Sequence, residues 1–240
     1  MMERHNDLGQ PIGPALAGWT PPPMPAAGLM EGRFCRLEPL DADRHAADLY
    51  AANQRDAEGR SWTYLPYGPF KSIEVYRDWI HSIQGGPDPC FFVIIPKAVG
   101  KALGVASYLR IIPAAGSIEV GHIHYGEALR RSTAATEAMV LMMTHAFALG
   151  YRRYEWKCDA LNAPSRAAAE RLGFQFEGIF RQATVYKERS RDTAWYAIID
   201  KEWPQLRAAF ETWLAPDNFD GHGRQRVGLR QLMRRVNQYL

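Results

Sequence analysis

The chain has 240 residues, 47% hydrophobic and 23% charged, the profile of a soluble globular protein long enough to bury a sizeable core. A net charge of only +3 gives no general electrostatic reason to expect a nucleic-acid or membrane partner. No apolar run approaches the ~18 residues of a membrane span, and the scattered Cys35, Cys90 and Cys158 suit buried thiols in a reducing compartment, so a cytoplasmic protein is expected.

Residues 1–30 contain GQPIGP and WTPPPMP, a proline- and glycine-rich arm unsuited to helix or central strand, with Ile12, Leu16 and Trp19 available to dock it. Gly32–Leu37 reads as a first strand. Asp41 or Asp43 then caps a helix carrying Ala46, Leu49 and Tyr50, and Ser72 caps a second over 72–84 with Val75, Trp79 and Ile83 on one face. CFFVIIP (90–96), LGVASYLRII (103–112) and IEVGHIHY (118–125) are β-branched apolar runs separated by turns, a meander of three strands.

A helix starting near Thr133 stops at Gly150, the residue type favoured just past a helix end. YRRYEWKCD (151–159) alternates, Tyr154, Trp156 and Cys158 against Arg153, Glu155 and Lys157. NAPSRAAAERLGF (162–174) is a short helix ended by Gly173. Two strands, FEGIFRQATVYK and DTAWYAIIDK, are expected to turn at RSR (189–191), and the amphipathic helix WPQLRAAFETWL follows. The tail carries Arg224, Arg226, Arg230, Arg234 and Arg235; its stripe of Leu229, Leu232, Met233 and Val236 fits a solvated helix or one packed on a neighbouring subunit. The order predicts an α/β chain with a mixed sheet: an arm (1–30), a main domain (31–203) and a C-terminal helix with basic tail (204–240).

Residues 129–138, LRRSTAATEA, put two arginines and small side chains where a helix begins. Helix N-termini carry unpaired N–H groups and the positive end of the macrodipole, so this reads as a phosphate seat, or else as a capped helix with solvated arginines. No His, Cys and carboxylate grouping has metal-ligand spacing.

Taken with Asn162-x-x-Ser165 and Arg171-Leu172-Gly173-Phe174, this stretch resembles the GNAT superfamily of acyl-CoA-dependent N-acetyltransferases over residues 30–203, in its RimJ/RimL-like branch of ribosomal-protein N-terminal acetyltransferases. The resemblance implies a mostly antiparallel central sheet with a V-shaped splay, flanked by helices. It implies acetyl-CoA as cosubstrate, no metal, and an amine-bearing acceptor, either a small molecule or a protein N-terminus. A homodimer is compatible with it; a membrane partner is not expected and nucleic acid is disfavoured.

The family's diphosphate loop, Q/R-x-x-G-x-G/A, falls on Arg130, Arg131, Ser132, Thr133, Ala134 and Ala135. Arg130 and Ala135 match; Thr133 stands where glycine is usual, with a hydroxyl that can donate to phosphate. Asn162 would bond the pantetheine or cap its helix. N–H groups at His122 or Ile123 would face the thioester oxygen. Glu119 occupies the position of the family's carboxylate base, while His122 and His124 alternate to the opposite side unless a bulge intervenes.

Many members use a tyrosine as acid where this chain has Ala169, and Ser165 matches the serine assigned that role in the ribosomal-protein branch; Tyr186 or water are other sources of the proton. Arg166, Arg171, Arg181 and Arg189 are further cations for a phosphate or an acidic substrate, and Asp192 is a candidate for a cationic amine or a turn. The loops around 55–70 and 180–195 would set the acceptor. The alternative from another class is an acyl-CoA-binding module without turnover, associated with RNA or the ribosome through its tail.

Overall fold

The computed structural model describes residues 4–236, with side chains to residue 234. The arm carries a small exposed hairpin, β1 (Arg4–His5) with β2 (Pro11–Ile12). Of its expected docking residues only Trp19 is held, under the Arg152 guanidinium 5.6 Å from its ring; Ile12 and Leu16 stay exposed. The Tyr151 hydroxyl donates to Pro23 at 3.1 Å and ties the arm down further.

The remaining strands form one eight-stranded sheet. They are β3 (Met30–Glu31), β4 (Cys35–Pro39), β5 (Cys90–Pro96), β6 (Gly104–Ile112), β7 (Ser117–Tyr125), β8 (Arg153–Asp159), β9 (Gln175–Tyr186) and β10 (Arg189–Ile199), in the spatial order β3-β4-β5-β6-β7-β8-β10-β9. All neighbours are antiparallel except β7 and β8. A parallel pair needs a crossover, which α3 (Thr133–Ala148) provides. The mixed α/β class read from the sequence is therefore the fold observed.

Helices α1 (Ala42–Asn53) and α2 (Ile73–Ile83), capped by Asp41 and Ser72, cover one face of the sheet over Phe91, Val93, Ile95 and Val105. On the opposite face α3, α4 (Ala163–Arg171), α5 (Trp203–Leu214) and α6 (Leu229–Val236) bury the larger core with Phe92, Tyr108, Tyr154 and Trp156. Leu229, Leu232 and Met233 of the tail sit in that core, so the stripe expected to be solvated or to meet another subunit packs on its own chain. The side chains of Arg235 and Val236 lie outside the described residues.

Two local readings are corrected. The first long strand begins at Cys35, because Gly32 is pressed against the Glu137 carboxylate, where a Cβ would come within 2.4 Å of its carbon. The turn between β9 and β10 is Lys187–Glu188, so RSR lies on β10. Both turn residues have positive φ, 48° and 59°, as a two-residue I′-like hairpin turn demands, but neither is the Gly or Asn that usually signals one.

Candidate active site

The parallel register of β7 and β8 runs only from Ser117–Arg153 to Val120–Trp156. Beyond it Gly121–Tyr125 has no strand partner on the β8 side, and the sheet splays. At the same point β7 is bulged: Val105 faces His124 and Ser107 faces Gly121, leaving His122 and Ile123 opposite Ala106 alone. His122 takes φ 50°, a left-handed conformation rare for a residue with a side chain. The extra residue inverts the alternation, so Glu119, His122 and His124 share the α1/α2 face instead of opposing one another.

The histidines form an aromatic wall with the loop after α1. His124 stacks on Trp62 at 3.8 Å and its Nε2 lies 2.9 Å from the Ser61 hydroxyl. His122 lies 3.0 Å from the Tyr67 hydroxyl through Nδ1 and against Phe91. Burial lowers both pKa values to about 4, helped by the positive charge of Arg110 at His122 and of Arg130 at His124, so both rings are neutral near pH 7. A cavity of about 200 Å3 is lined by Trp62 with Tyr50, Asn53, Asp56 and Phe70.

Glu119 is 2% exposed. Its Oε1 accepts from Arg110 at 2.7 Å and its Oε2 lies 3.0 Å from Lys157 Nζ, which also binds Glu155 at 2.6 Å. Burial raises the Glu119 pKa, with Lys157 and then Arg110 opposing. Lys157 sits 3.8 Å over the Trp195 ring, opposite the histidine wall. The mouth is bridged by the β9–β10 turn: Lys187 and Arg189 donate to the carbonyls of Trp62 and Thr63 at 2.8 and 2.7 Å, and Tyr186 donates to Asp159 at 2.7 Å. Asp192 accepts from the Gln182 N–H at 2.7 Å, a bulge contact within the hairpin.

On the other side of the splay stands the N-terminus of α3. Ser132 caps it, accepting from Ala135 N–H at 3.0 Å and donating to Leu129 at 2.6 Å. The N–H groups of Arg131, Thr133 and Ala134 find no partner among the described residues. Arg130 is pinned by the Tyr125 carbonyl at 3.0 Å, and Arg131 adopts φ 58° with its side chain exposed. Thr133 is the first helical residue and needs no left-handed backbone, so replacing the usual glycine costs room rather than conformation.

Helix α4 approaches the same splay. The Asn162 side chain accepts from Ser165 N–H at 3.2 Å and so acts as its cap. Ser165 Oγ accepts the Trp156 indole N–H at 3.0 Å, which leaves the hydroxyl hydrogen to donate. Glu119 and Ser165 thus stand on opposite faces of the sheet, with the splay between them.

Arg171, one of the further cations read from the sequence, meets Tyr125, which the sequence did not single out. Arg171, at the end of α4, donates to Thr136 at 3.2 Å and has no carboxylate within 4 Å among the described residues. Burial works against its charge, the direction expected of a cation without a counter-ion. Beside it the buried Tyr125 hydroxyl has no hydrogen-bond partner. The RLGF block names Arg171 but not its partner, because the pair forms only when α4 lies across the start of α3.

The sequence profile of the acetyltransferase (GNAT) domain matches residues 35–175, more than half of the chain. The chain belongs to the GNAT acetyltransferase family. A crystal structure of a GCN5-related N-acetyltransferase from Brucella melitensis is 46% identical, covers 91% of this chain and all of its own, and superposes with a TM-score of 0.88. An uncharacterised N-acetyltransferase, p20, from Bacillus licheniformis is 27% identical over 58% of this chain and 80% of its own. RimL, a ribosomal L7/L12 α-N-protein acetyltransferase (21% identity, TM-score 0.60, 71% of this chain and 93% of that one), shares the fold. So does the microcin C7 self-immunity acetyltransferase MccE, in complex with acetyl-CoA and AMP (20%, 0.63, 73% and 98%). This N-acetyltransferase has no group of three or more His, Cys, Asp or Glu side chains suited to a metal among its described residues. None of its described helices is long and apolar enough to cross a membrane.

Proposed function

We propose that this N-acetyltransferase draws its acetyl group from acetyl-CoA and passes it directly to a primary amine lying on the α1/α2 face of the splay. The observation that carries the reading is the α3 N-terminus, with the N–H groups of Arg131, Thr133 and Ala134 unpaired, opening on the splay that the bulged β7 borders. The uncompensated Arg171 and the orphaned Tyr125 hydroxyl fit the same anionic, hydrogen-bonding cosubstrate. Acetyl-CoA supplies an activated thioester there. The Asn162-x-x-Ser165 block supports a place in the RimJ/RimL-like branch.

In this reading Arg130, Arg131, Ser132, Thr133, Ala134 and Ala135 hold the diphosphate, and Asn162 keeps α4 in place beside the pantetheine. The backbone at His122 and Ile123 turns donors toward the carbonyl oxygen as its charge grows. Glu119 receives the amine proton through a water, its raised pKa bringing it nearer the operating pH. Ser165, its oxygen already bonded by Trp156, gives its proton to the departing thiolate.

Thiol release from acetyl-CoA with a panel of amines tests this. Glu119→Gln is expected to lower kcat by about 100-fold or more while leaving the acetyl-CoA Kd within about threefold. Tight acetyl-CoA binding without transfer to any amine would instead favour a binding module.

A further inference from the structure

The acceptor side of the splay is cationic in an uneven way. Apart from Glu188, exposed in the β9–β10 turn, the carboxylates nearest the mouth are bonded internally. Asp159 accepts from Tyr186 and from Leu161 N–H, Asp192 accepts from Gln182, and Glu119 is shared by Arg110 and Lys157. The cations are not all spent. Lys187, Arg189 and Arg191 make their hydrogen bonds to two carbonyls and a threonine hydroxyl, and none has a carboxylate within 4 Å among the described residues.

Arg110 stands out among them. Its backbone has φ 46° in an irregular stretch of the β6–β7 ladder. The Asp88 carboxylate holds it there by accepting the N–H groups of Arg110 and Ile111 at 2.9 and 3.0 Å. Positive φ is uncommon for a residue with a side chain, and the Asp88 contacts fix the direction in which Arg110 leaves the strand. One guanidinium nitrogen is fixed on Glu119, which is almost fully buried, while the Arg110 side chain is 58% exposed. The other donors of the fork find no partner among the described residues. Its charge also reaches His122, whose pKa it helps to lower. The guanidinium is therefore anchored on Glu119 at one nitrogen and open at the other side.

We propose that Arg110 selects the acceptor by binding an anionic group, a carboxylate or phosphate, on the molecule that presents the amine. The inference rests on the transferase reading above. A planar fork with open donors suits a two-oxygen anion, and an amine beside this cationic rim loses its proton more readily, which suits it to attack. The anion belongs to a small amino acid or to an acidic peptide N-terminus, and both are tested.

The experiment measures acetyl transfer to matched pairs. One arm pairs glutamate with glutaminamide and O-phosphoserine with serinamide. The other pairs amidated hexapeptides beginning Ser-Glu-Glu and Ser-Gln-Gln. In one arm the anionic member is expected to show kcat/KM at least about tenfold above its neutral twin. Arg110→Gln should erase that preference through KM with acetyl-CoA affinity unchanged, and Arg110→Lys should retain part of it. Arg207→Gln, a charge control on α5 paired with Glu211, should leave it intact. Neutral twins used equally well in both arms, or a preference that survives Arg110→Gln, would overturn the inference while leaving the transferase standing. Absence of acetyl-CoA binding in the unaltered protein would overturn both.

Discussion

Two helices begin beside the splay, and they begin differently. At α4 the donors are used up: Ala163 N–H bonds Leu161, Pro164 has none, Ser165 N–H bonds the Asn162 side chain and Arg166 N–H bonds the Asn162 carbonyl. At α3 the cap takes Ala135 N–H alone, and the N–H groups of Thr133 and Ala134, next to Arg130 and Arg131, have no partner among the described residues. Both starts carry the positive end of a dipole, but only α3 has donors left to give. On the proposed reading, the anion is therefore seated at α3 rather than at α4. Asn162 is spent as the lock of α4.

The largest expected effect comes from closing the open end. Thr133→Glu puts a carboxylate where the diphosphate would sit, and acetyl-CoA affinity should fall about 1,000-fold, or ~4 kcal/mol, by titration calorimetry. The fold should persist, since an acidic residue in a first helical turn is favourable.

Next is the base of the same helix. Glu137 accepts from the N–H groups of Arg33, Phe34 and Cys35 at 2.8, 2.6 and 2.8 Å and pins the second turn of α3 to β4. Glu137→Gln replaces a charged acceptor by a neutral one that brings an unwanted donor. It should cost about 3 kcal/mol of stability in urea unfolding, with acetyl-CoA affinity falling as α3 loosens.

Arg171→Met should separate binding from stability. Acetyl-CoA affinity is expected to drop about tenfold, while the unfolding midpoint holds or rises, because a cation without a counter-ion has been removed from a buried place. A lower midpoint with unchanged affinity would make Arg171 structural. The smallest effect belongs to α4: Asn162→Ala should cost about 1 kcal/mol of stability, as lost caps do, and change acetyl-CoA affinity less than about threefold.

Much of this was legible in order of residues. The caps at Asp41, Ser72 and Asn162, the alternation on β8 and the small-residue start of α3 are local chemistry, and local chemistry survives folding. The bulge at His122 was not: strict alternation sets Glu119 and the histidines apart, and only pairing with β6 reveals the extra residue that unites them. The Lys187–Glu188 turn was hidden because its positive φ values are imposed by the strands rather than invited by glycine. Nothing in the local sequence around Glu137 signals its role, which is set by a turn about a hundred residues upstream, at Gly32–Cys35. Tyr125 belongs to the same class: Arg171 was legible as a cation, but the hydroxyl it meets was not.

Acetyl-CoA titration of the unaltered protein, Thr133→Glu and Asn162→Ala in parallel tests the central claim most directly. Binding should be about 1,000-fold weaker in Thr133→Glu and within about threefold of the unaltered protein in Asn162→Ala, with all three proteins folded. Equal losses in the two variants, or unchanged binding in Thr133→Glu, would contradict the assignment of the α3 N-terminus as the anion seat.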